Sequence, residues 1–176
     1  MIPPRTLGYY AASNWLQGSV FLLLCLLLGY WLLGTLHDAQ ERGEKQAVEL
    51  AVRNMRTGMQ LAMGEALMHQ REGEIASWVG SDPVRWLGRQ PDGYRGECSA
   101  QDADNLPAGA WCFDRERREL AYRPRNVDRL QILAKAEGRH SQQLRWRVAR
   151  APESAASGGF VGLRVEVVTP YKWLLD

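Results

Sequence analysis

The stretch FLLLCLLLGYWLLGTLHDAQERGEKQAVEL, residues 21–50, passes from hydrocarbon side chains to dense charge with no proline and no turn cluster between them. Whether one helix runs through that change decides the fold. No charged side chain lies between Trp15 and Leu36, and the run meets the roughly 20 apolar residues that a helix needs to cross a bilayer core. Each central leucine favours insertion by about 0.3–0.6 kcal/mol, which together outweighs Ser19, Gly29 and Gly34. Tyr9, Tyr10 and Trp15 at one end, and Tyr30 and Trp31 near the other, fall where interfacial aromatic belts belong. A cleaved signal peptide is the competing reading, because Arg5 precedes the run; its apolar region is usually about 7–15 residues and ends in a small-x-small site. This run is longer, and LHDAQ at residues 36–40 is a poor cleavage site, so a retained anchor is expected. Arg5 and the amino terminus are the only positive charges ahead of the span, and the charges after it are mixed. The positive-inside rule therefore favours a cytoplasmic amino terminus.

Beyond the span, Val48, Val52, Met55, Met59, Ala62 and Ala66 step by four and three, the spacing of one helical face. No proline intervenes between Pro4 and Pro83, so the helix is expected to continue, softened at Gly43, Gly58, Gly64 and Gly73. The expected organisation is a short tail over 1–14, a membrane helix over 15–36, its amphipathic continuation over 37–79 and a small domain over 80–176. Met55, Met59, Met63 and Met68 belong to packing against a domain of the same chain, or to bundling with helices of other subunits.

The domain begins with a change of texture, GSDPVRWLGRQPDGYRGE at 80–97, whose glycines and prolines mark loop and turn. AWCFD (110–114) and ELAYRP (119–124) flank the charged RERR and read as a hairpin. LRWRVAR (144–150) alternates Leu144, Trp146 and Val148 against Arg145, Arg147 and Ala149. VGLRVEV (161–167) sets Val161, Leu163, Val165 and Val167 against Arg164 and Glu166. PESAASGG at 152–159 reads as a flexible connector, and 127–141 as a short helical turn or an irregular excursion. Pro170 stops the last strand, leaving an apolar tail to pack back. The fold class is α+β: a long amino-terminal helix packed on a small antiparallel sheet of about four strands, with Trp111, Phe113, Tyr122 and Trp146 in the sheet core.

Signals of chemistry are few. His37, His69 and His140 have no partner at a recognised metal spacing, and no nucleophile elbow, phosphate loop or dinucleotide fingerprint is present. Asp102, Asp104 and Asp114 form an imaginable acid-base set, but two of them lie in a polar loop where solvation explains them. No catalytic residue, cofactor or metal is therefore expected. Cys98 and Cys112 flank SAQDADNLPAGAW (99–111). A disulfide there would stabilise the fold by about 3 kcal/mol through loop-closure entropy in an oxidising compartment; two separate buried thiols are the alternative. The arginines from Arg115 to Arg150 would line the outer face of the sheet, either solvated beside Glu116, Glu119, Glu137 and Glu166 or presented to lipid headgroups, an acidic protein or polysaccharide. With a net charge of +2 over 176 residues, the basic patch is too dilute to indicate nucleic acid.

Anchor, long helix, loop and small sheet resemble the architecture of type IV pilins and of the pseudopilins of type II secretion. DPVRWLGRQPDGYRGE (82–97) followed by LPAGAWCFDRERRELAYRPRN (106–126) is similar to a segment of pilin-like biogenesis proteins, including those of the mannose-sensitive haemagglutinin pilus. The matching residues are Asp82, Pro83, Trp86, Leu87, Pro91, Tyr94, Gly96, Glu97, Gly109, Trp111, Phe113, Asp114, Leu120, Tyr122, Arg123 and Arg125. They carry packing and turns, over about a quarter of the chain. The pilin processing site, a glycine followed five residues later by glutamate, has no counterpart: Ser13 stands at that place after Gly8 and Leu23 after Gly18. Prepilin cleavage is thus not expected.

What the resemblance implies is a non-enzymatic, single-span protein of the bacterial inner membrane with a periplasmic carboxyl-terminal domain. It would assist assembly of a type IV pilus or a type II secretion pseudopilus, with pilin or pseudopilin subunits, inner-membrane assembly proteins and membrane lipid as partners, and no small-molecule substrate. The reading from another class is a membrane-anchored sensor or ligand-binding subunit. Only about fourteen residues precede the span, too few for a cytoplasmic output domain, so a sensor would signal through a partner chain.

Overall fold

The computed structural model describes residues 6–127, 130–133, 143–151 and 162–174. The expected connector at 152–159, Val161 and most of the excursion at 127–141 lie outside the described residues. The chain falls into two compact units, Met1–Gly43 and Glu44–Asp176, and helix α1 (Thr6–Met68) contributes to both. In the first unit, Gln17–Thr35 is long and apolar enough to cross a membrane, and none of it is buried. Helix is present from Thr6 onward, so residues 6–14, expected as a tail, are helical.

In the second unit α1 stops earlier than its periodicity predicted, at Met68 instead of 79. Gln70 takes a left-handed conformation (φ 56°), its N–H donates to the Leu67 carbonyl at 3.1 Å, and the Arg71 N–H reaches back to Ala66 at 2.8 Å. This is the paired-bond C-cap in which the residue after the helix turns left-handed. Glycine usually fills that position; here glutamine does, and the sequence carries no visible stop. A short helix α2 (Glu72–Ile75) and two 3₁₀ turns, Ala76–Trp78 and Pro83–Trp86, lead into the sheet.

The strands are β1 (Tyr94–Cys98), β2 (Trp111–Asp114), β3 (Glu119–Tyr122), β4 (Leu130–Ile132), β5 (Leu144–Arg150), β6 (Leu163–Val167) and β7 (Tyr171–Trp173). Five of them form one sheet in the order β1-β2-β3-β5-β6, while β4 and β7 pair separately. The expected purely antiparallel sheet of about four strands is corrected on both counts, because β1 runs parallel to β2. A parallel neighbour requires a crossover of about a dozen residues, and 99–110 supplies it, with the short helix α3 (Ala100–Asp104) inside it. The β2–β3 hairpin is as expected, in register Trp111↔Tyr122 and Phe113↔Leu120. Its turn is set by Asp114 Oδ1, which accepts from the N–H groups of Glu116 and Arg117, both at 3.0 Å. The tail expected after Pro170 is β7, with Trp173 buried.

One apolar core joins α1 to the sheet. Val48, Val52, Met55, Met59 and Ala66 are buried in it together with Trp111, Phe113, Leu120, Tyr122, Leu144, Trp146 and Val148. Ala62 is only half-buried and outside the cluster; Met63 packs against the core instead. Met68, expected with the other methionines, is 79% exposed. Trp111 stacks on Trp146 at 5.4 Å and lies against Tyr122 at 4.2 Å between ring centroids. Each such buried apolar side chain contributes about 1.5–3 kcal/mol.

Gly58 is where α1 comes closest to the Pro83–Trp86 turn: a β-carbon there would overlap the Trp86 carbonyl. Gly64 faces open space. Replacing Gly58 by alanine is therefore expected to destabilise the protein by about 1–3 kcal/mol through overpacking, whereas Gly64→Ala stabilises it by up to about 1 kcal/mol through helix propensity. Urea unfolding of the detergent-solubilised chain, followed by tryptophan fluorescence, measures both; equal effects at the two positions would contradict the close contact at Gly58.

Candidate functional site

Alternation along β2, β3 and β5 sends Trp111, Phe113, Leu120, Leu144 and Trp146 toward α1, and so turns Cys112, Asp114, Glu119, Ala121 and Arg145 to the opposite face. That face was expected to be open, either solvated or presented to lipid headgroups, an acidic protein or polysaccharide. It is covered instead, by the crossover at 99–110, whose Ala103 and Leu106 form a second small cluster with Ala110, Cys112, Ala121 and the partly buried Cys98. Cys98 and Cys112 are joined in a disulfide, with Cα atoms 6.0 Å apart.

Beneath the cover lies a network of charge. Arg145, with a side chain only 7% exposed, donates from Nη1 to Asp114 Oδ2 and to Glu119 Oε2, each at 3.4 Å. From Nη2 it donates to Asp104 Oδ1 at 3.1 Å and to Gln143 Oε1 at 2.8 Å. Arg117 holds Asp104 through both terminal nitrogens, at 2.9 and 3.2 Å, and Asp114 Oδ2 at 2.9 Å. The hydrogen bonds that it donates to Asp104 are the main cause that raises the Arg117 guanidinium above its usual range. Gln143 ties the network to the crossover backbone by donating to the Ala103 carbonyl at 2.7 Å.

Solvation was the expected state of the two carboxylates in the polar loop, and exposure, to water or to an anionic partner, that of the arginine face; Asp104 and Arg145 depart from this, and Asp114 is enclosed with them. Asp114 is wholly buried and Asp104 is bound by two guanidinium groups; Arg145 points away from α1, as alternation predicts, yet is enclosed. Asp102 does a local job at the start of α3: its N–H donates to the N-cap Ser99 Oγ at 3.1 Å, and its Oδ2 accepts from the Ser99 hydroxyl at 2.7 Å. Arg147 and Arg164 remain half-exposed beside Glu166, and Arg115 pairs with Glu97. Among the described residues no group of three or more histidine, cysteine or acidic side chains is arranged to hold a metal ion.

A second polar anchor lies at the start of the second unit. Glu44 accepts from the Tyr122 hydroxyl at 2.7 Å, from the Arg125 N–H at 2.6 Å and from the Asn126 N–H at 3.4 Å. Burial and the adjoining carboxylate push the Tyr122 hydroxyl well above its ordinary range, so it stays a donor at any physiological pH. The third arrangement is Asp82, which caps the Pro83–Trp86 turn by accepting from the Val84 N–H at 2.9 Å and also accepts from the Tyr94 hydroxyl. Desolvation raises the Asp82 carboxyl above its ordinary 3.8, opposed by the hydrogen bonds from Tyr94 and Val84.

No family model, curated protein or solved structure matches this chain.

Removing one partner from a buried ionic network strands the others, so Arg145→Met should destabilise the protein by about 3–5 kcal/mol. Arg147→Met, on a half-exposed pair, should change stability by less than about 1 kcal/mol. Chemical denaturation of the two variants checks the contrast. For Asp82 the raised folded-state value means the penalty is absent below 3.8, grows as pH rises through the folded value, and is complete above it. Asp82→Asn keeps a capping side chain without the charge. Its stability relative to the parent should accordingly rise with pH across that interval and then level off; a pH-independent difference in urea midpoints would contradict the assignment.

Proposed function

We propose that the chain is a non-enzymatic, single-span protein of the bacterial inner membrane, amino terminus cytoplasmic and sheet domain periplasmic. It assists assembly of a type IV pilus or a type II secretion pseudopilus by contacting pilin-like subunits through its helix and sheet. The observation that carries this reading is the division of labour along α1. Gln17–Thr35 is apolar and wholly unburied, as lipid or neighbouring membrane helices would require. Farther on, Leu50 is 55% exposed, Leu61 is 70% and Met68 is 79%. At about 100° per residue these three fall within about 20° of one another, roughly opposite the Val48–Ala66 stripe. A helix with one apolar line in its own core and another facing outward has a surface left for a partner helix. The Cys98–Cys112 disulfide supports an oxidising compartment for the sheet domain. The engagement of Arg115, Arg117 and Arg145 by carboxylates supports protein contact over an anion-binding face.

Photocrosslinking from Leu50 and Leu61 in native membranes tests the reading. The expected adducts are pilin-like subunits or inner-membrane assembly proteins, absent when the probe sits at the buried Val52. Adducts only with a kinase or cyclase would favour the sensor reading, and no adduct from either exposed position would overturn the proposed helix contact.

A further inference from the structure

The outer surface of α1 in the second unit is divided by charge. From Glu44 to Met68 the helix carries three cations, Lys45, Arg53 and Arg56, and three carboxylates, Glu44, Glu49 and Glu65. The exposed Leu50–Leu61–Met68 line runs between two unlike flanks. At about 100° per residue, Arg53 stands about 60° to one side of it, and Arg56 and Lys45 about 120–140° to the same side, with Glu49 among them. Glu44 and Glu65 stand on the other side, and both are engaged. Glu44 accepts from Tyr122 and from the Arg125 N–H, and Glu65 lies 3.8 Å from Arg71.

The cations have no such partners. Among the described residues no hydrogen bond or ion pair engages Lys45, Arg53 or Arg56, and both arginines are exposed. Strand β7 adjoins the same flank: burial and the nearby Glu49 hold the Tyr171 hydroxyl above its ordinary range, with Arg56 opposing them. Elsewhere in the unit Arg115, Arg117, Arg145, Arg147 and Arg164 are each held by a carboxylate. The α1 flank is thus left with three cations against one carboxylate, beside an apolar line that nothing in the chain covers.

We propose that the partner helix received by the Leu50–Leu61 line is acidic along one flank, and that its carboxylates, set against Arg53 and Arg56, select that partner and fix its side of approach.

The acidic flank rests on the helix contact proposed above and gives that contact its chemistry. Exposed ion pairs add little raw affinity; their effect is on choice, because a partner with cations at the same place is repelled. A second copy of this chain does not supply the complement. In a parallel two-fold pair, each helix sets one side of its line against the opposite side of the other. Beside Arg53 that arrangement brings Ala51 and Gly58, neither of which carries charge.

Photocrosslinking from Leu50 of the full chain in native membranes tests this, with the parental arginines, with R53E/R56E and with R53K/R56K. The protein adduct should fall on the order of tenfold in R53E/R56E and stay within about twofold of the parent in R53K/R56K. Mass spectrometry of the parental adduct should find aspartate or glutamate within about one helical turn of the crosslinked residue in the partner. Changing those carboxylates to lysine should restore the adduct to R53E/R56E, which separates lost attraction from lost fold. Undiminished yield in R53E/R56E, or no restoration by the lysine exchange, would overturn the acidic flank and leave the helix contact standing. No adduct from the parental chain would overturn both. An adduct only with a second copy of this chain, or only with lipid, would overturn the acidic partner.

Discussion

A five-stranded sheet has two faces, and a single helix buries only one of them. That constraint shapes the second unit. Met55, Met59 and their neighbours on α1 meet Trp146, Leu120 and Leu144, and this apolar contact supplies most of the driving force available to the unit. The second face receives no helix of comparable length among the described residues. A twelve-residue crossover with one turn and a half of helix lies over it, too short to offer a broad apolar surface. Part of the interface is accordingly ionic, and a disulfide joins the strands at either end of the crossover.

An ionic interior is a weaker source of stability than an apolar one of the same volume, because desolvation offsets most of the attraction between the charges. What such a network supplies here is geometry. The Arg145 guanidinium reaches carboxylates from the crossover, from β2 and from β3 at once, so these elements share one donor whose planar fork accepts few arrangements. Glu44 does the same with the reverse chemistry: one acceptor gathers a tyrosine hydroxyl and two backbone N–H groups and fixes where α1 meets the end of β3.

The legible parts of this fold were those governed by period. The four-and-three spacing of Val48 to Ala66 predicted which side of α1 is buried, and alternation in 144–150 predicted that Arg145 points away from the helix. Alternation says nothing of what lies on the far side, so enclosure of Arg145 was out of reach; the cysteine pair was the one hint that a segment is pinned there. The end of α1 was hidden because Gln70 takes a role usually given to glycine. Strand β1 was hidden because Gly96, at φ 82°, and an irregular register between Tyr94 and Glu97 break the two-residue pattern. Asp114, at the end of AWCFD, carried no sign of its role, and only the fold reveals that its carboxylate serves the turn backbone and two arginines at once.

The apolar line on α1 and the strand that closes over it stand far apart in synthesis order. About 80 residues separate Ala66 from Leu144, and at roughly 5–20 residues per second the ribosome needs about 4–16 s to supply the second after the first. For that interval the methionine-bearing side of the helix can meet only Ile75, Val84 and the β2–β3 hairpin, and its apolar cover stays incomplete. Birth of this protein therefore includes a waiting period whose length is written into its strand order.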